Sequence, residues 1–222
     1  MSLQGQLGLL RLVSPALPIG AFSYSRGLEG AVAAGWVHDE ASVASWIVGI
    51  IEHAVAPLEG AVLCRLHRAF VAEDAAEVAR WSAFLRASRE SAELLLEDAH
   101  MGRALARLLQ SLGHYPGWLD PAAQPSFASM FALAAVRWEV PQHDAVAGFL
   151  WSVAEGQVGA AMRLLPLGQT AGQRILSHAL PVIERCAESA VTQDDDAIGN
   201  FSSGLALASA WHETQYSRLF RS

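Results

Sequence analysis

The chain has 222 residues, 52% of them apolar, and a formal net charge of −7. This length suits one domain with a substantial core, and the high apolar fraction predicts that some apolar surface is covered by self-association. All 15 positive charges are arginines, and the acidic balance argues against a nucleic-acid partner. A phosphate-binding loop of the P-loop type needs a lysine, so the composition also excludes a P-loop nucleotidase.

The cysteines and the apolar runs favour a cytoplasmic protein without a membrane partner. Cys64 and Cys186 lie far apart without metal-type spacing, which is typical of buried thiols in a reducing compartment. Arg11 interrupts the first apolar run, so no secretory signal is expected. The stretch nearest to a membrane span is Ala145–Met162, where Glu155 and three glycines favour a core helix instead.

Hydrophobic spacing is helical almost throughout, and no segment alternates long enough for a strand. The pattern therefore predicts an all-α fold, a single-domain bundle of about ten helices without β-sheet over residues 1–222. Within it we distinguish an N-terminal segment at 1–20 and a C-terminal docking tail at 216–222. The predicted helices cover about residues 4–12, 22–34, 40–55, 58–72, 75–87, 91–111, 124–138, 142–164, 169–190 with a break at Pro181, and 198–216.

The segment Ser14–Glu29 is unusual for a helical protein. Pro15 and Pro18 end the first predicted helix, and Gly20 permits a tight bend. Hydrogen-bonding side chains then cluster where the next helix begins, at Ser23, Tyr24, Ser25 and Arg26. Such a cluster is either a helix cap or a binding site, and the residues alone leave both interpretations open.

The predicted helix at 142–164 carries small residues every four positions, at Gly148, Ser152, Gly156 and Ala160. Such a groove lets another helix approach closely. The remaining faces are apolar, so this helix is expected to be central. The pattern does not say whether the groove meets a helix of the same chain or of a second copy.

The charged clusters look like solvated surface. Asp194–Asp196 is interpreted as an acidic linker that caps the last helix. Glu97 and Asp98 fit a solvated helix face, and Glu93, Glu97 and His100 follow ordinary helical charge patterning. No metal site is predicted from these residues.

Recognisable catalytic signatures are missing. His212-Glu213 begins like a zinc-protease helix, but the position of the second ligand holds Tyr216. Cys64 and His67 stand three residues apart, and two ligands do not close a metal site. We therefore predict no catalytic, cofactor-binding or metal-binding residue. A helical enzyme with Glu29, Tyr24 and His100 as acid–base groups remains the alternative.

The last residues, His212–Ser222, combine charge with apolar anchors. Arg218 and Arg221 stand out in an acidic chain, and Tyr216, Leu219 and Phe220 are side chains that commonly dominate binding energies. We interpret this tail as a docking element. The alternative is that Leu219 and Phe220 fold back onto the core of their own chain.

Ser14–Glu29, followed by Gly35-Trp36-Val37, resembles the opening signature of the urease accessory protein F family (UreF), and His212–Ser222 resembles its C-terminal ending. Arg89-Glu90, leading into the acidic helix with Gly102, and the stretch at 159–169 are similar to the family's internal patterns. The resemblance thus covers essentially the whole chain. Arg26 departs from the family pattern, where Gln is expected, and Arg163 replaces a frequent Lys.

The resemblance implies an all-helical, dimer-forming, non-catalytic scaffold that acts in the cytoplasm. Its implied partners are UreD (also called UreH), the GTPase UreG and the urease apoprotein, in GTP-dependent nickel insertion during urease maturation. UreG would bind the GTP, the complex would handle the nickel, and this chain would hold no cofactor tightly. A direct nickel-binding metallochaperone is an alternative within this resemblance.

The resemblance also suggests which residues contact partners. The tail would dock UreD, and the N-terminal cluster with nearby helices would face UreG or line a route for nickel. The expected partner-binding residues are Tyr216, Arg218, Leu219, Phe220, Arg221, Ser222, Ser23, Tyr24, Ser25, Arg26, Glu29, Arg163 and Gln169.

Overall fold

The computed structural model describes residues 1–120 and 124–222, and in these ranges the secondary structure is helical, with no β-strand. The predicted all-α fold is confirmed. The α-helices of the described ranges are α1 (Leu3–Leu12), α2 (Leu28–Ala33), α3 (Glu40–Ile50), α4 (Ala61–Val71), α5 (Ala75–Ala87), α6 (Ala92–Ser111), α7 (Phe127–Arg137), α8 (Gln142–Leu164), α9 (Gln169–Thr192) and α10 (Ser203–Glu213).

The prediction of two helices separated near Pro57 is wrong, because α3 and α4 are joined by a π-helical segment, Ile51–Gly60, that contains this proline. Proline lacks a backbone N–H and crowds the carbonyl of the preceding turn, and the wider π turn accommodates it. Two carbonyls of this segment accept bonds from outside the helix. His53 O accepts from Phe201 N at 3.2 Å, and Pro57 O accepts from Gly199 N at 3.2 Å.

The second predicted helix, at 22–34, is shorter than expected. A 3₁₀ turn covers Ala21–Ser23, and α2 begins only at Leu28. Three residues near this point have positive φ angles, with Gly20 at 74°, Arg26 at 49° and Gly27 at 78°. A left-handed residue ends a right-handed helix, so the first part of the predicted helix is a loop. The bend predicted at Gly20 is present.

Further boundaries differ from the predictions, and α7 begins at Phe127 rather than at residue 124. α9 runs through Pro181 without a break in its assigned range. α10 begins at Ser203, so Asp194–Asp196 does not cap it and instead leads into a 3₁₀ turn at Asp195–Ala197. The residues between this turn and α10 bind the π-helical segment through backbone hydrogen bonds, which keeps them out of the helix.

α8 lies at the centre of the bundle and packs against α7, α9, α2 and α1. A Cβ added to Gly148 would lie 2.5 Å from Leu9 Cδ1, so one end of the small-residue groove receives α1 of the same chain. No heavy atom outside the local backbone lies within 4 Å of such a Cβ at Gly156. Gly156 and Ser152 instead line a cavity, which is described with the candidate site.

One helix in the described part of the chain is long and apolar enough to cross a membrane, and it is Glu40–Val71 rather than Ala145–Met162. In this structure 72% of its most apolar stretch is buried inside the protein. Burial of this extent is also found in core helices.

Candidate functional site

The tail, Tyr216–Ser222, folds back onto the opening segment Ser14–Glu29. Arg221 N donates to Ser23 O at 2.9 Å, and Ser25 N donates to Ser222 O at 2.7 Å. The Ser25 hydroxyl also donates to Ser222 O. The two ends of the sequence therefore form one structural unit, which we call the terminal seam.

Glu29 of α2 holds the middle of the tail. One carboxylate oxygen accepts from Leu219 N at 2.7 Å, and the other accepts from Phe220 N at 2.8 Å. Burial would raise the pKa of Glu29, but these two N–H groups and His212 outweigh it and lower the pKa. Glu29 is thus a structural anchor of the seam.

His212, at the end of α10, lies completely buried between two carboxylates. Its Nε2 lies 3.0 Å from a Glu29 oxygen, and its Nδ1 lies 2.6 Å from a Glu93 oxygen. Arg218 donates to the other Glu93 oxygen at 2.7 Å. This cluster connects α2, α6, α10 and the tail.

The last residue reaches a second buried network. The Ser222 hydroxyl donates to Glu97 at 2.5 Å, and Arg26 lies 3.3 Å from the other Glu97 oxygen. Arg26 also pairs with Glu59 of the π-helical segment at 3.0 Å. The left-handed backbone at Arg26 therefore presents its guanidinium to two buried carboxylates at once.

Arg89 completes this network. Its guanidinium lies 2.9 Å from Glu59 and 3.1 Å from Asp98, and Asp98 also accepts from Phe127 N at 2.9 Å. Burial would raise the pKa of Glu59, but Arg26 and Arg89 outweigh it and lower the pKa to about 2. Burial raises the pKa of Asp98 despite the adjacent Arg89.

The prediction of a solvated acidic face on α6 is wrong. Glu97 and Asp98 are each 3% exposed, and Glu93 is 7% exposed. These carboxylates face inward because the tail and the arginines supply donors there that the periodicity of α6 does not reveal. His100, in contrast, is exposed, and its Nδ1 lies 2.8 Å from the Tyr24 hydroxyl.

A cavity of about 250 Å³ lies next to the seam. Arg26, Glu97 and Phe220 form part of its wall, and most of the remaining lining is apolar. Arg163 closes one side, because its guanidinium stacks 4.4 Å above the Phe220 ring and donates to Phe22 O at 2.9 Å. Glu155 also lines the cavity, and burial raises the pKa of its carboxyl.

The predicted partner-binding residues differ in how accessible they are. Ser25, Arg26, Glu29, Phe220 and Ser222 are buried within their own chain. Ser23 and Tyr24 are half-buried, and the exposed members are Tyr216, Arg218, Leu219, Arg221, Arg163 and Gln169. Gln169 is the first residue of α9, and the other expected residues lie in the seam or contact it. Phe220 packs on the core of its own chain, as the alternative interpretation expects, whereas Leu219 and Tyr216 face solvent. Docking by the tail stays a prediction.

Sequence reasoning missed Glu59, Arg89 and His212 as members of the seam and its network. One signal was available for Glu59, which is a lone charge in the apolar stretch between Ala54 and Cys64. A charge in a buried helix requires a partner. A second signal was Arg26, which adds a positive charge where the family pattern has Gln, and this charge pairs with Glu59 and Glu97.

The described part of the chain contains no group of three or more His, Cys, Asp or Glu side chains that could hold a metal ion. Cys64 and Cys186 are buried free thiols. Burial raises the pKa of Cys64 to about 11.

Comparison with known proteins identifies the family. Residues 37–180 match the UreF family model. Urease accessory protein UreF 2 of Brucella anthropi is 52% identical over 217 residues, which cover 97% of this chain and 96% of the relative. Urease accessory protein UreF of Alkalilimnicola ehrlichii is 48% identical over 98% of this chain and 96% of the relative. Urease accessory protein UreF of Chromohalobacter salexigens is 47% identical over 97% of this chain and 94% of the relative. With more than half of its length matched by the family model, and with such relatives over nearly its full length, the chain belongs to the UreF family.

Proposed function

We propose that this protein is a non-catalytic scaffold that acts with UreD (UreH) and the GTPase UreG to promote GTP-dependent nickel insertion into the urease apoprotein. The observation that carries the proposal is the near full-length similarity to proteins named urease accessory proteins. The composition supports it, because a chain without lysine relies on a partner for P-loop GTP chemistry. In this proposal UreG binds the GTP and the assembled complex handles the nickel.

The terminal seam is the proposed partner-binding region. Its outer surface carries large exposed side chains, with Tyr216 fully exposed, Phe22 78% exposed and Leu219 52% exposed. Exposed aromatic and aliphatic groups around an ordered backbone are typical anchors of protein interfaces. We assign UreD to the tail, and UreG or the nickel route to the side that carries Tyr24 and Arg163. The protein is proposed to act as a homodimer in the cytoplasm.

Co-purification with UreD and UreG, followed by size-exclusion chromatography and urease activation assays, tests the proposal. The decisive variant is Leu219→Ala combined with Tyr216→Ala, since neither side chain makes a hydrogen bond in the seam. Leu180→Ala is the matched control, because Leu180 of α9 is 50% exposed, close to the 52% of Leu219. We expect the double variant to lose UreD and urease activation while the control retains both.

The proposal has clear contrary results. If the double variant retained UreD as the unchanged chain does, the assignment of UreD to the tail would be wrong. If urease matured equally well without this protein in the presence of UreD and UreG, the scaffold function itself would be wrong. Light scattering on the purified chain gives the oligomeric state, and a monomer at all concentrations would contradict the homodimer.

A further inference from the structure

Arg26 is a buried charge in the loop between the 3₁₀ turn Ala21–Ser23 and α2. The residue is 6% exposed, and its guanidinium lies between Glu59 of the π-helical segment and Glu97 of α6. Two of its nitrogens donate to the two Glu59 oxygens at 3.0 and 3.2 Å, and its Nε donates to Glu97 at 3.3 Å. A bidentate pair of this kind fixes the orientation of the guanidinium as well as its position.

The backbone at Arg26 is in an uncommon conformation. Arg26 has a φ of 49° and Gly27 a φ of 78°, so two successive residues are left-handed. Glycine adopts this conformation readily, whereas a residue with a Cβ adopts it at an energetic cost. Such a residue stays left-handed where its surroundings hold it there, and Arg26 is held by two buried carboxylates.

The direction of the chain at Arg26 determines where the exposed part of the loop lies. Phe22 precedes Arg26 by four positions and is 78% exposed, on the side assigned above to UreG. Two side chains of α8 also bind the loop, since Arg163 donates to Phe22 O at 2.9 Å and Gln157 donates to Ser25 O. Arg163 is exposed, and solvent weakens its electrostatic contacts more than those of the buried Arg26. Arg26 is thus the strongest charged contact of this loop.

The groups that hold Arg26 belong to the body of the bundle. Glu59 lies in the π-helical segment that joins α3 to α4, and Glu97 lies in α6. Fixing the loop through Arg26 therefore does not depend on the tail, Tyr216–Ser222. A glutamine at position 26, as the family pattern expects, carries one NH₂ group and no charge, so it forms an ion pair with neither carboxylate.

We propose that Arg26 is a positioning residue, whose ion pairs with Glu59 and Glu97 hold the loop at residues 20–27 in one conformation and so present Phe22 to UreG. A loop that is ordered before binding loses less conformational entropy when the partner docks, which strengthens the complex. The identity of the partner rests on the proposed function, whereas the ordering of the loop rests on contacts within this chain.

Loss of the guanidinium is expected to release the loop and leave the rest of the fold intact. Arg26→Gln removes the charged donor from two buried carboxylates, which is unfavourable while they stay buried. Opening of the loop admits water to these carboxylates, and this hydration relieves the cost locally. Arg89 still pairs with Glu59 in this variant.

Hydrogen–deuterium exchange of the full chain without partners tests the ordering of the loop. In Arg26→Gln we expect peptides covering residues 20–27 to exchange at least about tenfold faster than in the unchanged chain, and peptides from α8 to exchange at the unchanged rate. Arg26→Lys should lie between the two, because an ammonium keeps the charge but lacks the fork that binds both oxygens of Glu59. It also retains the buried charge, so it supplies a measurement if Arg26→Gln fails to fold.

Arg89→Gln is the matched control. Arg89 pairs with the same Glu59 at 2.9 Å and with Asp98 at 3.1 Å, but its backbone precedes α6 and is not part of the loop. The control therefore loses buried ion pairs of the same kind, and we expect it to lower the free energy of unfolding while exchange of the loop stays unchanged. Arg174→Gln, which breaks an exposed pair with Glu40, is the second control if Arg89→Gln does not fold.

Binding of UreG to the chain in the presence of UreD, measured by surface plasmon resonance, tests the consequence for the partner. We expect Arg26→Gln to bind UreG about tenfold more weakly, Arg26→Lys to recover part of the affinity, and both controls to bind as the unchanged chain does. A residue with a merely structural role would weaken UreG binding in step with the free energy of unfolding, and Arg89→Gln would then be affected as well.

Equal loop exchange in Arg26→Gln and the unchanged chain would overturn the inference. So would loop exchange that rises equally in Arg89→Gln, or a parallel rise in α8, because both indicate general destabilisation. UreG binding that is equally tight in Arg26→Gln would overturn the role of the ordered loop in presenting Phe22. If the unchanged chain failed to bind UreG while the loop responded as expected, the proposed function would be wrong and the ordering of the loop by Arg26 would still hold.

Discussion

Replacing Glu59 with Gln tests whether the buried network stabilises the fold. Glu59 is 3% exposed and lies between the guanidinium groups of Arg26 and Arg89, at 3.0 and 2.9 Å. Gln has the same shape but presents an N–H group and no charge, so Glu59→Gln leaves both arginines less well paired. Removal of one partner from a buried ion pair is generally far more damaging than loss of a surface pair.

The magnitude follows from the pKa. Folding lowers the pKa of Glu59 from 4.5 to about 2, and each unit corresponds to about 1.4 kcal/mol, which gives ~3–4 kcal/mol. The variant recovers part of this free energy. The charge of Glu59 repels that of Asp98 and so helps to raise the pKa of Asp98, and this repulsion is absent in Glu59→Gln. We expect Glu59→Gln to lower the free energy of unfolding by about 2–3 kcal/mol at pH 7.

Urea unfolding followed by circular dichroism measures this difference. Since the pKa of Glu59 is lowered in the folded state, its contribution is complete above about pH 4.5 and is lost as the pH falls towards 2. The control is Glu40→Gln, which breaks an exposed pair with Arg174 and should change the stability little. If Glu59→Gln lowered the free energy of unfolding by less than about 1 kcal/mol at pH 7, or by the same amount as Glu40→Gln, the buried network would not stabilise the fold as argued.

Two further predictions concern packing and thiol chemistry. Gly102→Ala should lower the free energy of unfolding by roughly 1–3 kcal/mol, because the new Cβ would lie 2.2 Å from Pro125 O. In the same urea assay the control Gly49→Ala, with no such neighbour within 4 Å, should gain about 0.5–1 kcal/mol, and equal effects would contradict the packing argument. Cys64 should resist a thiol reagent at pH 8 in the folded chain, because burial raises its pKa to about 11, and should react on unfolding in urea. Rapid labelling of Cys64 in the folded chain, identified by mass spectrometry, would contradict this prediction, because it would show that the surroundings of Cys64 open to the reagent.

The sequence predicted the helical elements well where apolar periodicity is uninterrupted. α5 and α8 have the predicted bounds, and α6 begins one residue later than predicted. Prolines were the less reliable signals, because Pro57 and Pro181 lie inside continuous helices. A proline removes one hydrogen bond, and tertiary packing or a wider turn can compensate for that loss.

The candidate site was predictable only in outline. The signature segments at the two ends were recognised, and the structure brings them into contact. The acidic residues of α6 were misplaced on the surface, because helical periodicity shows which residues share a face but not what covers that face. The donors that bind Glu93 and Glu97 come from Arg26, His212, Arg218 and Ser222, each at least 71 residues away in sequence. Such long-range pairing is set by the tertiary fold.

The hydrogen bond between Ser25 and Ser222 joins residues 197 positions apart in the sequence. The terminal seam therefore depends on the order in which the chain is synthesised. A ribosome makes Ser14–Glu29 early, and the residues that complete its hydrogen bonding follow much later. Contacts of such long range form late in folding, because the loop they close carries a large entropy cost. A nascent or prematurely ended chain therefore leaves Glu29 and Glu97 without their tail donors. The surface that carries Tyr24 and Phe22 is thus completed only in chains synthesised through Ser222.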